Sequence, residues 1–203
     1  MSAVAAPIDV RQHILDVAYP LFLRKGFTAV GLAELLTAAQ VPKGSFYHYF
    51  GSKEAFGEAV LEAYFADYLA RMDALLAAPG TSAAQRLMAF FDDWLDSQTG
   101  DEAQSRCLVV KLGAEVSDLS ESMRAALARG TRGVTSRLAR CIEEGHADGS
   151  VPAAMTTQDA QAVALYQSWL GASLLAKITR DHSPLNTIMT STRQLLGLAQ
   201  HSA

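Results

Sequence analysis

Apolar residues along this chain recur at three- and four-residue spacing, the pattern of helices that bury one face. In residues 10–25 the recurring positions are Ile14, Leu15, Ala18, Leu21 and Phe22, and Gly26 closes the segment. Short helices are predicted over residues 32–39 and 43–50, parted by a break at Val41-Pro42, where proline suits a first helical turn. Two short helices joined by a tight turn read as a helix-turn-helix. Ser52 is placed to cap a long fourth helix that reaches about residue 78, before Pro79-Gly80 breaks the chain. Further helices are predicted near 83–99, opened by Ser82 with Gln85, near 107–117, and near 119–147, opened by Asp118 with Glu121 at capping-box spacing. The loop at 148–152 precedes two last helices, about 157–180 and 185–199, divided by Asp181 to Pro184. No strand pattern competes, and the fold class expected is all-α.

Composition agrees with this reading. Ala and Leu are abundant, and the 14 Gly and six Pro fall mostly at intervals that end helices. A chain of 203 residues, 50% hydrophobic and 19% charged, can bury a core in one or two domains. The most apolar stretch, 162–178, is interrupted by Gln167, Ser168 and Ser173, so a buried packing helix is expected rather than a membrane span. The first ten residues lack the basic leader and long apolar core of a secretory signal, and a short disordered arm is expected there. Two cysteines, Cys107 and Cys141, are too few for a disulfide framework and suit a reducing cytoplasm.

A net charge of −4 argues at first against nucleic acid, but the charge is unevenly divided. Residues 1–53 carry five Lys and Arg against three Asp and Glu, whereas the remaining 150 carry 12 against 18. A small basic head and an acidic body fit phosphate contact at one end only. The predicted helix 43–50 sharpens this. Phe46 and Phe50, four apart, point inward, leaving Lys43, Ser45, Tyr47 and His48 to reach base edges or phosphate oxygens, with Gly44 allowing close backbone approach. The plain alternative is an aromatic cluster that only holds a small helical domain together.

The segment Gly26-Phe27-Thr28 through Val41-Pro42-Lys43-Gly44-Ser45-Phe46-Tyr47-His48-Tyr49-Phe50 to Ser52-Lys53-Glu54 resembles the N-terminal DNA-binding domain of the TetR family. The resemblance implies a three-helix head with a helix-turn-helix over residues 1–53. It further implies a helical ligand-sensing and dimerisation domain over 54–203. It also implies that Thr28, Tyr49 and Lys53 hold phosphates, that Lys43 and Ser45 read bases, and that the partner is palindromic double-stranded operator DNA bound by a homodimer. The dimer is expected to form a four-helix interface from residues 157–180 and 185–199, with Leu165 and Leu195 as candidate contacts. Three positions depart from the family pattern: Gly31 where a capping Ser or Thr is usual, Gln40 where the turn has Gly, and Pro42 where Ser is common. Gln40 is expected to need a positive φ.

The stretches Arg106-Cys107-Leu108-Val109-Val110-Lys111-Leu112-Gly113-Ala114-Glu115 and Trp169-Leu170-Gly171-Ala172-Ser173-Leu174-Leu175-Ala176-Lys177-Ile178 resemble a subgroup of the same family. Its members respond to quinones, aldehydes, N-ethylmaleimide and hypohalous oxidants through a cysteine matching Cys107, with a lysine matching Lys177 stabilising the oxidised thiol. The residues support this independently. Cys107 lies at a predicted helix start beside Arg106 and four residues before Lys111, where positive charge and the helix N-terminus favour thiolate. A sulfenic acid formed there can condense with a nearby nitrogen. Trp94, Tyr166 and Trp169 are candidate pocket residues, although aromatics at helical spacing are more often core. Cys141 is read as packing. His146 and His182 are expected in loops without partners at metal-ligand spacing, so neither metal nor cofactor is expected.

Three functions remain open at this point. The chain is a repressor of detoxification genes, relieved when an electrophile or oxidant modifies Cys107. Alternatively, it is a repressor relieved by reversible binding of a small inducer such as an unsaturated carboxylate. Or it is a thiol enzyme, which lacks a resolving cysteine and leaves the head motif unexplained.

Overall fold

The computed structural model describes residues 9–99 and 107–198. Residues 1–8 of the expected N-terminal arm and Arg106 lie outside the described residues, whereas Asp9 and Val10 already belong to the start of α1. Nine helices follow one another among the described residues: α1 Val10–Lys25, α2 Leu32–Ala39, α3 Lys43–Phe50, α4 Lys53–Leu76, α5 Ala83–Thr99, α6 Leu108–Leu119, α7 Glu121–Asp148, α8 Gln158–Thr179 and α9 Ser183–Leu195.

Most of the boundaries follow from local chemistry. Asp9 caps α1 by accepting from the Gln12 amide, Ser52 caps α4 through Ala55, and Thr157 caps α8 through Ala160. The start of α7 departs from expectation. Ser120, not Asp118, is its cap, accepting from the Met123 amide, while Asp118 sits within the last turn of α6. An extended Ser120, φ −148°, closes one helix and opens the next. Pro20 lies inside α1 and does not end it. His146 belongs to α7 rather than a loop, whereas His182 stands at the N-cap of α9, which ends at Leu195.

Two apolar clusters hold the helices together. The first joins α1, α2, α3 and the first half of α4 to one face of α6 and the start of α7, with Phe22, Phe27, Phe46, Phe56, Leu112 and Met123 at its centre. It runs without interruption past residue 53, the expected domain boundary. The second joins the end of α4 to α5, α7, α8 and α9 around Phe91, Trp94, Leu138 and Trp169. Helix α4 therefore serves both cores. Its crossing with α7 is close: a Cβ on Gly130 would lie 2.2 Å from the Phe65 ring, so only glycine fits without displacing that ring. No helix among the described residues is long and apolar enough to cross a membrane.

Candidate DNA-binding face and sensor cavity

Helix α3 divides its residues as the spacing predicts. Phe46 is fully buried and Phe50 nearly so, and with Phe56 they form a set of rings whose centroids are 4.8 to 5.3 Å apart. Lys43, Gly44, Tyr47, His48 and Tyr49 are exposed, and Ser45 is half-buried. The Lys43 ammonium stands 5.7 Å from the centroid of the Tyr47 ring, which keeps the charge at the surface. Thr28, between α1 and α2, is exposed, and Lys53, in the first turn of α4, rests 4.7 Å from the centroid of the Phe27 ring.

The turn between α2 and α3 carries two of the three unusual positions, Gln40 and Pro42, and Gly31 stands just ahead of α2. Gln40 adopts φ 55°, ψ 39°, the left-handed conformation expected of it, and its amide closes α2 on Leu36 and Thr37 carbonyls. Gly31 and Pro42 cap α2 and α3 without any side-chain hydrogen bond. The turn is tied back to α1, where the His13 ring donates to the Ala39 carbonyl at 2.9 Å. Arg11, also on α1, lies 5.5 Å from the centroid of the Phe50 ring at the end of α3, adding an exposed cation that the sequence pattern did not single out.

Cys107 is the N-cap of α6 and is buried, with only 9% of its surface exposed. It lines a cavity of about 320 Å³ together with Tyr64, Tyr68, Trp94 and Gln98, with Arg71 and Asp93 also on the wall. The Tyr64 hydroxyl donates to the Cys107 sulfur at 3.8 Å. Burial pushes the thiol pKa up. The Val110 and Val109 amides, the Tyr64 hydroxyl and the Lys177 charge all favour thiolate but do not overcome burial. Of the features expected to activate this cysteine, the helix N-terminus acts as expected, and the favourable charge comes from Lys177 rather than Lys111. Arg106 lies outside the described residues. The net direction is nonetheless the reverse of the one they imply. The same burial raises the pKa values of Tyr64 and Tyr166, each pushed further by the neighbouring Cys107.

Lys177 is exposed and lines an adjoining cleft, with Gln98 forming the wall common to both spaces. Its pKa is lowered by desolvation and by Lys111, against an opposing pull from Cys107. Trp94 is held by a hydrogen bond from its ring nitrogen to Ser173 at 3.1 Å, and Tyr166 packs edge-on to it. Tyr166 lines neither space, and nor does Trp169. Trp169 is fully buried, stacked on Phe91 at 5.1 Å and bonded to Thr192, so it braces α8 against α5 and α9. Cys141 is buried against the Ala83 carbonyl, and burial raises its pKa to about 11.

One connection between the two regions stands out among the polar contacts. Glu115, on α6, accepts the Phe27 amide at 3.2 Å and the Thr28 amide at 2.6 Å. Although partial burial acts to raise its pKa, the hydrogen bonds from Thr28 and Phe27 outweigh it and lower the value. Lys111, one turn earlier, donates to the Arg24 carbonyl at 3.1 Å. The helix that begins at Cys107 therefore grips the end of α1 and the residue that leads into α2.

Two family models cover most of this architecture. Residues 14–60 match the bacterial regulatory proteins of the tetR family, and residues 83–192 match the tetracyclin repressor-like C-terminal domain. The chain is 43% identical to the transcriptional repressor NemR of Escherichia coli strain K12, over 93% of this chain and 94% of that protein.

The chain belongs to the TetR family.

The crystal structure of reduced E. coli NemR superposes with a TM-score of 0.89 at 42% identity, covering 97% of this chain and all of that one. The repressor DhaR of Mycobacterium sp. strain GP1 is 34% identical over 91% of each chain. This TetR-family protein is a transcriptional repressor rather than an enzyme. Sequence spacing located the exposed side chains of α3 and placed Cys107 at a helix start, whereas Lys177 was singled out by the resemblance alone. Spacing missed Tyr64, Tyr68, Arg71 and Glu115. The first three lie on α4, where they are part of an ordinary amphipathic pattern, and the fourth acts across 87 residues.

Proposed function

We propose that this TetR-family repressor binds a palindromic operator as a homodimer and releases it when Cys107 is alkylated or oxidised, freeing genes that detoxify electrophiles. Thr28, Tyr49 and Lys53 hold phosphates, Lys43 and Ser45 read bases, and Tyr47 and His48 complete the contact face, with Gly44 admitting the backbone. One helix-turn-helix reads half a palindrome, so two copies are needed. The exposed apolar residues Val163, Leu174, Leu175, Ile178 and Leu195 give α8 and α9 a face suited to a partner copy.

The observation that carries the reading is the path along α6. Cys107 starts that helix inside a cavity, and Glu115, two turns on, holds the Phe27 and Thr28 amides of the head. Alkylation adds volume to packed surroundings: the thiolate sulfur bonds one carbon of the electrophile's double bond, the π bond breaks, and the other carbon takes a proton from solvent. Hypochlorite oxidises the thiol to sulfenic acid, and condensation with the neutral Lys177 amine then forms a sulfur–nitrogen bond and releases water. Either change biases α6 and, through Glu115, the spacing of the two heads. A hundredfold loss of operator occupancy needs a difference of only about 2.7 kcal/mol between the two conformations.

The test is a gel shift on the DNA upstream of the protein's own gene, with and without N-ethylmaleimide and hypochlorite. Wild type is expected to release DNA under both reagents, and Cys107→Ser under neither. The cavity beside Tyr64 and Trp94 favours a second reading, reversible binding of a small inducer, which takes the place of the first if Cys107→Ser releases DNA as readily as wild type.

A further inference from the structure

The cleft on the far side of Gln98 has a volume of about 450 Å³ and lies where the head meets the body, between the end of α1, the first turn of α6 and the end of α8. Arg24, Lys111, Lys177, Arg180 and His182 line it, with Asp181 as the one carboxylate among the described lining residues. Asp181 is already engaged, accepting from the amide of Ser183 at 3.1 Å and from its hydroxyl. No ion pair engages Arg24, Lys111, Lys177 or Arg180 among the described residues. Four cations thus share one concave space in a chain whose net charge is −4. Lys111 is close enough to Lys177 to lower its pKa, a sign of like-charge crowding that an anion would relieve.

Arg180 provides a second, independent observation. It ends α8 at φ 53°, ψ 40°, a left-handed conformation that glycine adopts without strain and that a long side chain resists. The chain keeps an arginine in the lining of the cleft in place of the residue the backbone favours. Such strain persists where the surroundings or a function hold it.

We propose that this cleft binds a small organic anion bearing carboxylate or phosphate groups, held by Arg24 and Lys111 on the side of the head and by Lys177 and Arg180 on the side of the body. The volume is that of a small-molecule site, and Leu23 and Ala176 offer apolar contact to a short carbon skeleton between the charged groups. Because its cations come from α1, α6 and α8, a bound anion ties the DNA-binding head to the body, and its affinity and that of the operator must then be linked reciprocally. The site adjoins the thiol cavity across Gln98 and shares Lys177 with the proposed switch, so a sulfur–nitrogen bond between Cys107 and Lys177 removes one of its cations.

The test uses the full-length Cys107→Ser protein, in which thiol reactions are silent, with citrate and inorganic phosphate as probes and sodium chloride at matched ionic strength as the reference. Calorimetric titration and thermal melting are expected to show saturable binding of at least one probe beyond the chloride effect. Response to phosphate alone marks a phosphorylated ligand, and response to citrate a polycarboxylate. Lys111→Met and Arg180→Gly should each weaken binding at least tenfold. Arg180→Gly should also melt at or above the parent temperature without ligand, because glycine relaxes the left-handed cap, so its lost binding is not a folding defect. The proposal is overturned if both probes act no more strongly than chloride, or if binding survives in Arg180→Gly and is competed by operator DNA, which assigns the anion to the DNA-binding face.

Discussion

At the scale of single residues, Cys107, the proposed sensor, is governed by a contest between burial and local charge. Because its pKa is raised, thiolate is scarce at neutral pH, and its fraction grows about tenfold for each pH unit until the raised pKa is reached. The rate of Cys107 alkylation by N-ethylmaleimide, followed by mass spectrometry, should therefore keep rising through and beyond pH 9, the ordinary thiol value. A plateau below pH 8 would show that the thiol is activated instead. Lys177→Met removes a favourable charge and should slow the reaction further at every pH in this range. On the proposed DNA face, Lys43 is exposed and supports no buried neighbour, so Lys43→Ala should leave the melting temperature unchanged. If Lys43 reads a base, operator affinity falls by about 1–3 kcal/mol, with specificity relaxed at one position. An equal loss on all sequences would identify a phosphate contact.

At the scale of helices, α6 is the part on which the proposed switch turns, and its hold on the head is testable without any inducer. The Glu115 pKa is lowered in the folded protein, so its contribution to stability is present in full above the ordinary carboxylate value. That contribution is lost as pH falls through the lowered one. At neutral pH the carboxylate is charged and the contact is intact. Glu115→Ala should cost about 1–3 kcal/mol by leaving the Phe27 and Thr28 amides without their acceptor. Hydrogen exchange should quicken at those two amides, and unchanged exchange would mean that α6 does not restrain the head. The crossing of α4 with α7 makes a different demand. Gly130→Ala drives a methyl into the Phe65 ring and should destabilise the fold by about 1–3 kcal/mol in a denaturant titration.

At the scale of the whole molecule, the apolar faces decide which surfaces remain for a partner. Leu165 and Leu195 are equally plausible dimer contacts by spacing, but the fold separates them. Leu165 is 1% exposed and packs in the second core, whereas Leu195 is 52% exposed. Leu195→Asp should yield a folded monomer that no longer binds operator, read by sedimentation at micromolar concentration. Leu165→Asp should lower the melting temperature of the fold itself, because it buries a carboxylate among apolar neighbours. A dimeric Leu195→Asp protein would move the interface elsewhere.

The sequence alone determined the helices and which side chains of α3 stay exposed. Both rest on local physics: three- and four-residue spacing, caps such as Ser52 and Thr157, and breaks such as Pro79-Gly80 act within a few residues of the chain. The resemblance carried by residues 26–54 added the family for the same reason, since a recognition helix is a contiguous stretch. Tertiary structure decided what depends on residues far apart in sequence. It set the direction of the Cys107 pKa, because desolvation comes from helices packed around the thiol rather than from its chain neighbours. It removed Trp169 from the candidate pocket, brought Glu115 to Thr28 across 87 positions, and gathered Arg24, Lys111, Lys177 and Arg180 around one cleft. Burial and through-space charge fall off with distance in space, a quantity that position along the chain does not encode until the helices have packed.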